Sequence, residues 1–396
     1  MRAAPSVETV LRDSGLTDVP PGVCAFEDTP GTQVDFGPGA IANLPGHVES
    51  LGSKRVLVVT DRGIAEAGHL QRVLDLLGAN GLESVVFDKV IENPTTDCVD
   101  AAANAATAAE VDVIIGLGGG SSMDTAKGCN FIHTNGGSMQ DYWGHDKASR
   151  PMLPMIAIPT TAGTGSECQS YALISDAKTH AKMACGDRKA AARVAILDPI
   201  LTVTQPQLVT AHTGIDALAH ALETGVCNSR TAISSAYSRT AFRLMAPAFS
   251  KVVADPDDLF ARSQMLIGAA LAGTAIENSM LGAAHAAANP LTAQFDIVHG
   301  EAVGIMLPHV MRFNCSDPEI VTAYGHTTGG LDVPELTEKF VSLLRIGAMP
   351  TNLSSYGINE TDLASLASQA ASQWTAQFNP VPVDEQVFLK LYKAAL

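Results

Sequence analysis

Residues 111–127 read VDVIIGLGGGSSMDTAK, and this stretch decides the fold. The run VDVIIGL (111–117) is dominated by β-branched residues, the composition of a strand buried on both faces of a parallel sheet. GLGGGSSMDTAK (116–127) then turns and opens a helix, with Ser121 or Ser122 as the expected N-cap. Glycines let a backbone approach a diphosphate closely, and the free N–H groups and dipole at a helix start favour its negative charge. The stretch is not the GxGxxG dinucleotide fingerprint, because Ser121 stands where the third glycine falls. Alone, it reads equally well as a tight strand-to-helix turn with no ligand.

Upstream, residues 55–60 (RVLVVT) read as a strand, 63–80 as a helix, 84–87 as a strand and 98–110 as an alanine-rich helix. Downstream, MIAI (155–158) is another strand. Such alternation implies βαβ units and a mostly parallel sheet. The last strand runs into PTTAGTGSE (159–167), a second loop dense in hydroxyls and glycines. Two such loops after successive strands line the ligand edge of an open α/β sheet, which makes nucleotide phosphate the expected ligand. Asp61 closes the RVLVVT strand, where a carboxylate accepts hydrogen bonds from ribose hydroxyls and repels a 2′-phosphate. That favours NAD over NADP; a surface turn aspartate is the plain alternative.

Beyond residue 199 the character changes. Residues 207–227, 232–253, 259–288 and 301–313 are rich in Ala, Leu and Met with helical spacing, and strand-like runs nearly vanish. The expected organisation is an α/β dinucleotide-binding domain over residues 1–200 and an all-α domain over 201–396, with ligands in a cleft between them. Within GIDALAHALE (214–223), Asp216 and His220 are four apart and share one helix face. LGAAHAAANPLTAQFDIVHG (281–300) holds His285, placed near the end of a helix that Pro290 should terminate, and His299 where the next helix begins. One carboxylate and three imidazoles suit a divalent transition metal such as Fe²⁺ or Zn²⁺. A lone histidine in an alanine-rich helix is more often structural, and His212 and His309 are read that way.

The formal charge of 25 − 41 = −16 repels phosphate backbones and anionic lipid, which argues against nucleic-acid and membrane partners. Seven scattered cysteines with no CxxC pair read as reduced thiols of a cytoplasmic protein. The N-terminal segment has no apolar core of a signal peptide, and no run approaches the ~18 apolar residues of a membrane span.

The GGGSSMDTAK, PTTAGTGSE and GIDALAHALE motifs, with the stretch from His285 to HGEAVGIMLPHVMRFN, resemble the signatures of the iron-containing (group III) alcohol dehydrogenases, in that family's order. The D-x-x-x-H element and the 299 − 285 = 14 separation match as well. The resemblance implies a dehydroquinate synthase-like dinucleotide-binding domain and an all-α metal-binding domain, with Asp216, His220, His285 and His299 as ligands of one divalent metal, Fe²⁺ ahead of Zn²⁺. It implies NAD as cofactor, NADP less so. Gly119, Gly120 and Ser121 would lie at the pyrophosphate with Asp124 supporting their loop, Asp61 at the ribose, and Asn93 near the cofactor. Thr160 and Thr161 would surround adenine and phosphates, and Lys182 would lie near the nicotinamide ribose.

The implied reaction moves hydride between NAD(H) and a small alcohol or aldehyde, in a homodimer or higher homo-oligomer. Asn289 stands where many members carry a second histidine, so the proton leaves through water and cofactor hydroxyls or through another group. Residues 213–229 and 263–311 contain no Lys or Arg, which favours neutral substrates, with Phe295 as an apolar wall; a loop such as YWGHDKASR (142–150) is another source of cations. Two rivals stand: a dehydroquinate synthase-like or polyol-acting relative, and a catalytically silent nucleotide-binding or filament-forming protein.

Overall fold

Alternate residues of the central strands feed two different cores, which is why these runs are apolar without interruption. In the computed structural model, which describes residues 5–396, the strands are β1 (Gln33–Phe36), β2 (Arg55–Val59), β3 (Glu83–Phe87), β4 (Val113–Gly118), β5 (Gly144–His145), β6 (Met155–Pro159), β7 (Tyr171–Ser175), β8 (Lys182–Gly186) and β9 (Val194–Leu197). Six form a wholly parallel sheet in the order β1-β9-β6-β4-β2-β3. Val56 and Val58 join Ile115 and Ile156 in one buried cluster; Leu57 and Val59 join Ile114 and Ala157 in the other. The helix His69–Ala79 covers the first face through Val73 and Leu77. Helices α1 (Thr96–Ala108) and α2 (Gly120–Asn135) cover the second through Ala102, Ala106, Met123 and Ala126.

Several details depart from the sequence reading. The helix expected over 63–80 is two, Arg62–Glu66 and His69–Ala79, parted by Gly68 in the left-handed region at φ 85°. Neither Ser121 nor Ser122 caps α2: Gly119 is the N-cap, and both serines lie in the first turn. A second sheet, ordered β5-β8-β7, was not foreseen; β5 has only two residues, and β7 and β8 carry polar ends that blur their pattern.

The described chain forms two compact units. One gathers Ala25–Thr161 and Gly165–Thr204 with a short N-terminal piece; the other comprises Val10–Cys24, Ala162–Thr164 and Gln205–Leu396. Among the described residues no strand follows β9, and the second unit is built of helices, including α3 (Gln207–Val226), α4 (Ala232–Ala254), α5 (Leu259–Glu277), α6 (Ala283–Phe295) and α7 (His299–Asn314). By length and composition α5 could cross a membrane, contrary to the reading that no run comes near a span; 89% of its apolar window is buried, which makes it a core helix.

The single helix expected over 259–288 is broken at Asn278–Gly282, so His285 sits in the first turn of α6, not near a helix end. Nor does Pro290 stop that helix, which runs on to Phe295 and ends where Asp296 turns left-handed at φ 53°. A proline mid-helix removes the donor to the carbonyl four residues back, here Ala286, and the Tyr392 hydroxyl donates to the next carbonyl, Ala287, at 2.7 Å.

Close helix approach in this unit depends on small residues. A Cβ added at Gly300 would lie 2.1 Å from the backbone oxygen of His212, so α7 could not keep its distance from α3. Because the obstacle is backbone, no side-chain rotation relieves it. Gly300→Ala is expected to lower the unfolding free energy by about 2 kcal/mol or more, read as an earlier urea midpoint; an unchanged midpoint would show slack between the helices.

Candidate metal centre and cofactor loop

Helix α3 presents Asp216 and His220 on one face, one turn apart, and both are buried. The first turn of α6 brings His285 to them, and the start of α7 brings His299. His220 Nε2 lies 3.5 Å from Asp216 Oδ2, while His285 Nε2 and His299 Nε2 lie 3.4 and 3.9 Å from Asp216 Oδ1. The rings of His220 and His285 stack at 4.8 Å, and those of His285 and His299 stand 5.5 Å apart. Thus the four residues named from the sequence converge.

Whether these residues fit a metal can be tested on their spacing. Hydrogen-bonded N···O pairs lie near 2.9 Å, whereas donors sharing a tetrahedral cation at ~2.1 Å stand about 3.4 Å apart. The His220 and His285 separations match the second case, while His299 stands farther out at 3.9 Å. Asp216 Oδ1 and His285 Nε2 are buried and make no hydrogen bond, a state that is costly unless something else binds them. Asp216, His220 and His285 each offer one ligand atom, all within 4.8 Å of one another. The residues fit a divalent cation.

The electrostatics agree. Burial works to raise the pKa of Asp216, but His220, His285 and His299 outweigh it and hold the carboxyl below its ordinary range. Burial pushes His220 down to about 4, against the pull of Asp216. His285 goes the other way: burial opposes its charge, yet Glu223 and Asp216 bring it up to about 9. At neutral pH these shifts favour a carboxylate at Asp216 and a neutral imidazole at His220, and a cation held here would compete with the proton on His285.

Sequence reasoning missed Glu223. It lies three residues after His220 and seven after Asp216, on their helix face, and that spacing was the available signal. Its Oε2 is 2.5 Å from His285 Nδ1. His212, left as structural, bonds Glu301 at 3.1 Å, and Tyr356 donates to the same carboxylate at 2.9 Å. Asn289 donates to Gln373 at 3.0 Å, a contact between two groups that do not titrate.

In the sheet unit, the carboxyl ends of three adjacent strands collect most of the residues expected at a cofactor. Asp61 follows β2, Gly119 and Gly120 follow β4, and Thr160 and Thr161 follow β6. The Thr160 N–H donates to the Gly118 carbonyl at 3.0 Å. A Cβ at Gly119 would touch Thr161 Oγ1 at 3.4 Å, so the two loops abut. Gly118 was overlooked: at φ 143°, with a Cβ that would fall 2.5 Å from Ser122 Oγ, only glycine fits there. Asp61 Oδ1 caps its helix by accepting from Ile64 N at 3.0 Å, and Oδ2 lies 3.5 Å from Ser122 Oγ. Ser121 lies in the first turn of α2.

Below this edge, Ser166 Oγ donates to Asp124 at 2.9 Å, and the fully buried Lys127 ammonium reaches Ser166 O at 2.6 Å, Ser166 Oγ at 2.8 Å and Tyr171 O at 2.9 Å. Asp124 thus ties α2 to the second loop. Lys182 opens β8 and acts electrostatically on Asp124. Asn93 is exposed in a left-handed turn at φ 52°, before the Pro94 carbonyl that receives Ser175 N.

Residues 31–199 match the family model described as iron-containing alcohol dehydrogenase, and residues 210–396 match the Fe-containing alcohol dehydrogenase family, C-terminal. The chain is 32% identical over 370 residues to the NAD-dependent methanol dehydrogenase of Bacillus methanolicus, covering 91% of this chain and 97% of that protein. The solved alcohol dehydrogenase from Oenococcus oeni superposes with a TM-score of 0.88 at 30% identity, over 92% of this chain and 98% of that one. Sulfoacetaldehyde reductase from Bifidobacterium kashiwanohense, solved in complex with NAD⁺, gives 0.85 at 29% identity, over 92% and 97%.

Glu167, behind the second loop, is buried with Oε1 unpartnered, and burial raises its pKa to about 7 against its own backbone N–H and Lys127. A carboxyl whose folded pKa exceeds its unfolded value near 4.5 holds its proton more tightly when folded, so stability is full below about 4.5 and is lost as pH rises through about 7. The swing is on the order of 3 kcal/mol. Urea unfolding at pH 5 and pH 8 is expected to show a larger loss in the parent than in Glu167→Gln; equal losses would contradict this reading.

Proposed function

The chain belongs to the iron-containing alcohol dehydrogenase family, and we propose that Asp216, His220, His285 and His299 hold its metal. As such an oxidoreductase it interconverts alcohols and aldehydes with NAD(H). The observation carrying the proposal is the convergence of three imidazole Nε2 atoms on one buried carboxylate. A bound divalent cation supplies Lewis acidity that polarises the alcohol or aldehyde oxygen, and the nicotinamide accepts or gives the hydride. Asp216 would add a single negative charge to a set of otherwise neutral donors, leaving a bound divalent cation net positive. The ligand set suits Fe²⁺, favoured by the family, and Zn²⁺.

The remaining site residues follow from the sheet edge. Gly119, Gly120 and Ser121 at the start of α2 offer backbone N–H groups to a pyrophosphate, with Gly118 allowing the turn and Asp124 bracing it. Thr160 and Thr161 line the neighbouring loop. The carboxylate of Asp61 beside that loop supports NAD over NADP. Lys182 and Asn93 are assigned to the cofactor on family resemblance. On this reading residues 1–200 form the dinucleotide domain and 201–396 the metal- and substrate-binding domain.

Residues 213–229 and 263–311 supply most of α3, all of α6 and most of α7 without a single Lys or Arg, which supports small neutral alcohols and aldehydes. All seven cysteines are free, which supports a reducing, cytoplasmic compartment. A homodimer or higher homo-oligomer follows from the family alone. Asn289, bonded to Gln373, carries no titrating proton, so on this reading the proton leaves through water and cofactor hydroxyls or through another group.

Two experiments test these assignments. His285→Ala is expected to lose bound metal and alcohol-dependent NAD reduction while NADH binding, followed by nicotinamide fluorescence, stays within about threefold; retained turnover would refute the ligand set. Asp61→Asn keeps the helix cap but removes the charge, and should move the kcat/KM ratio at least about tenfold toward NADP, equivalent to about 1.4 kcal/mol. An unmoved ratio would mean that Asp61 does not read the ribose.

A further inference from the structure

Glu223 links two ligand-bearing helices through both of its oxygens. It projects from α3, the helix of Asp216 and His220, and is 3% exposed. One oxygen, Oε2, receives the Nδ1–H of His285. The other, Oε1, accepts the backbone N–H of Ala284 at 2.7 Å, and the Gly282 backbone also bonds this carboxylate. These are among the first amides of α6, whose N-cap Gly282 has no side chain to satisfy them. A Cβ on Gly282 would sit 3.1 Å from Glu223 Oε1, so the glycine makes room for the carboxylate. The break at Asn278–Gly282 thus creates a helix start that Glu223 caps from another helix.

The consequence for His285 is chemical. With the ring proton drawn to Nδ1 by a carboxylate, the lone pair of the neutral ring lies on Nε2, the atom 3.4 Å from Asp216. Beside this contact, Asn379 Oδ1 takes the Ala283 N–H at 3.3 Å, and Asn379 exchanges hydrogen bonds with Asn314 at 2.8 and 3.3 Å, where Asn314 ends α7, the helix of His299. Asn379 shares the capping task without touching His285, which separates the two roles of Glu223.

We infer that Glu223 is a positioning residue of the metal centre: it fixes the tautomer and direction of the His285 ring while capping the helix that carries it. The inference rests on the ligand set proposed above. Glu223→Gln tests it with little change of shape. The amide oxygen can still accept from Ala284, but the amide N–H₂ then meets Nδ1 and forces that nitrogen to accept. The ring proton moves to Nε2, where it obstructs a cation.

The probe is Co²⁺ added to metal-free protein, with affinity measured by chelator competition and geometry by visible d–d absorption. Glu223→Gln is expected to bind 10–100-fold more weakly with an altered spectrum, while the thermal midpoint of the metal-free protein stays near that of the parent. Asn379→Ala should lower that midpoint yet keep Co²⁺ affinity within about threefold. If the glutamine variant does not fold, Glu223→Asp, which keeps the charge but falls one methylene short, should show the same weakening. Parent-like affinity and spectrum in Glu223→Gln, or an equal loss in Asn379→Ala, would overturn the inference while leaving the ligand set intact. A parent protein that takes up no Co²⁺, or a His285→Ala variant that binds as the parent does, would remove the ligand set itself.

Discussion

One carboxylate and three imidazoles held together in an apolar, alanine-rich helical core form the constraint on which the rest of the second unit depends. Ionisable groups leave water only at a penalty, and removing one partner from such a set leaves another charge uncompensated. Here the imidazole nitrogens stand 3.4 to 3.9 Å from the carboxylate oxygens, and the histidines offset part of the cost of burying that charge. Glycines at 214, 300 and 304 allow the close helix approach this demands: a Cβ at each would come within 3 Å of Phe249, His212 or Leu344 respectively. Packing and chemistry are therefore one problem in this unit, since a helix that shifts moves a ligand with it.

The sheet unit solves a different problem, that of receiving a dianionic diphosphate on a protein of formal charge −16. No excess of surface cations draws the cofactor in. On the proposed assignment its welcome is local, made from backbone N–H groups at the start of α2 and from the hydroxyls of the neighbouring loop. The buried Lys127 ammonium donates to Ser166 and Tyr171, so it braces the loop from below.

Much of this was legible in the sequence because its signals are local. The strand–glycine–helix transition at 113–120 depends on neighbours in the chain, and Asp216 and His220 share a face by spacing alone. What escaped was set by contacts distant in sequence. The break before His285 needs Glu223, sixty-odd positions away, to cap the new helix, and the passage of that helix through Pro290 is helped by Tyr392, a hundred positions downstream. Read without those partners, an alanine-rich run looks like one helix ended by its proline. Gly119 displaced the serines as N-cap because the turn after Gly118 needs a backbone conformation that only glycine reaches. The sheet β5-β8-β7 escaped because its strands are short and its pairings mixed. Asn93 carried no signal of its own, and its left-handed turn explains an asparagine there without a ligand.

The central claim is that this carboxylate and these imidazoles bind one cation together. X-ray absorption spectroscopy of anaerobically purified, metal-loaded protein addresses it most directly, since multiple scattering counts imidazoles. The account predicts one metal per chain with three imidazole nitrogens and a carboxylate oxygen at about 2.0–2.2 Å. A sulfur shell, or fewer than two imidazoles, would contradict it.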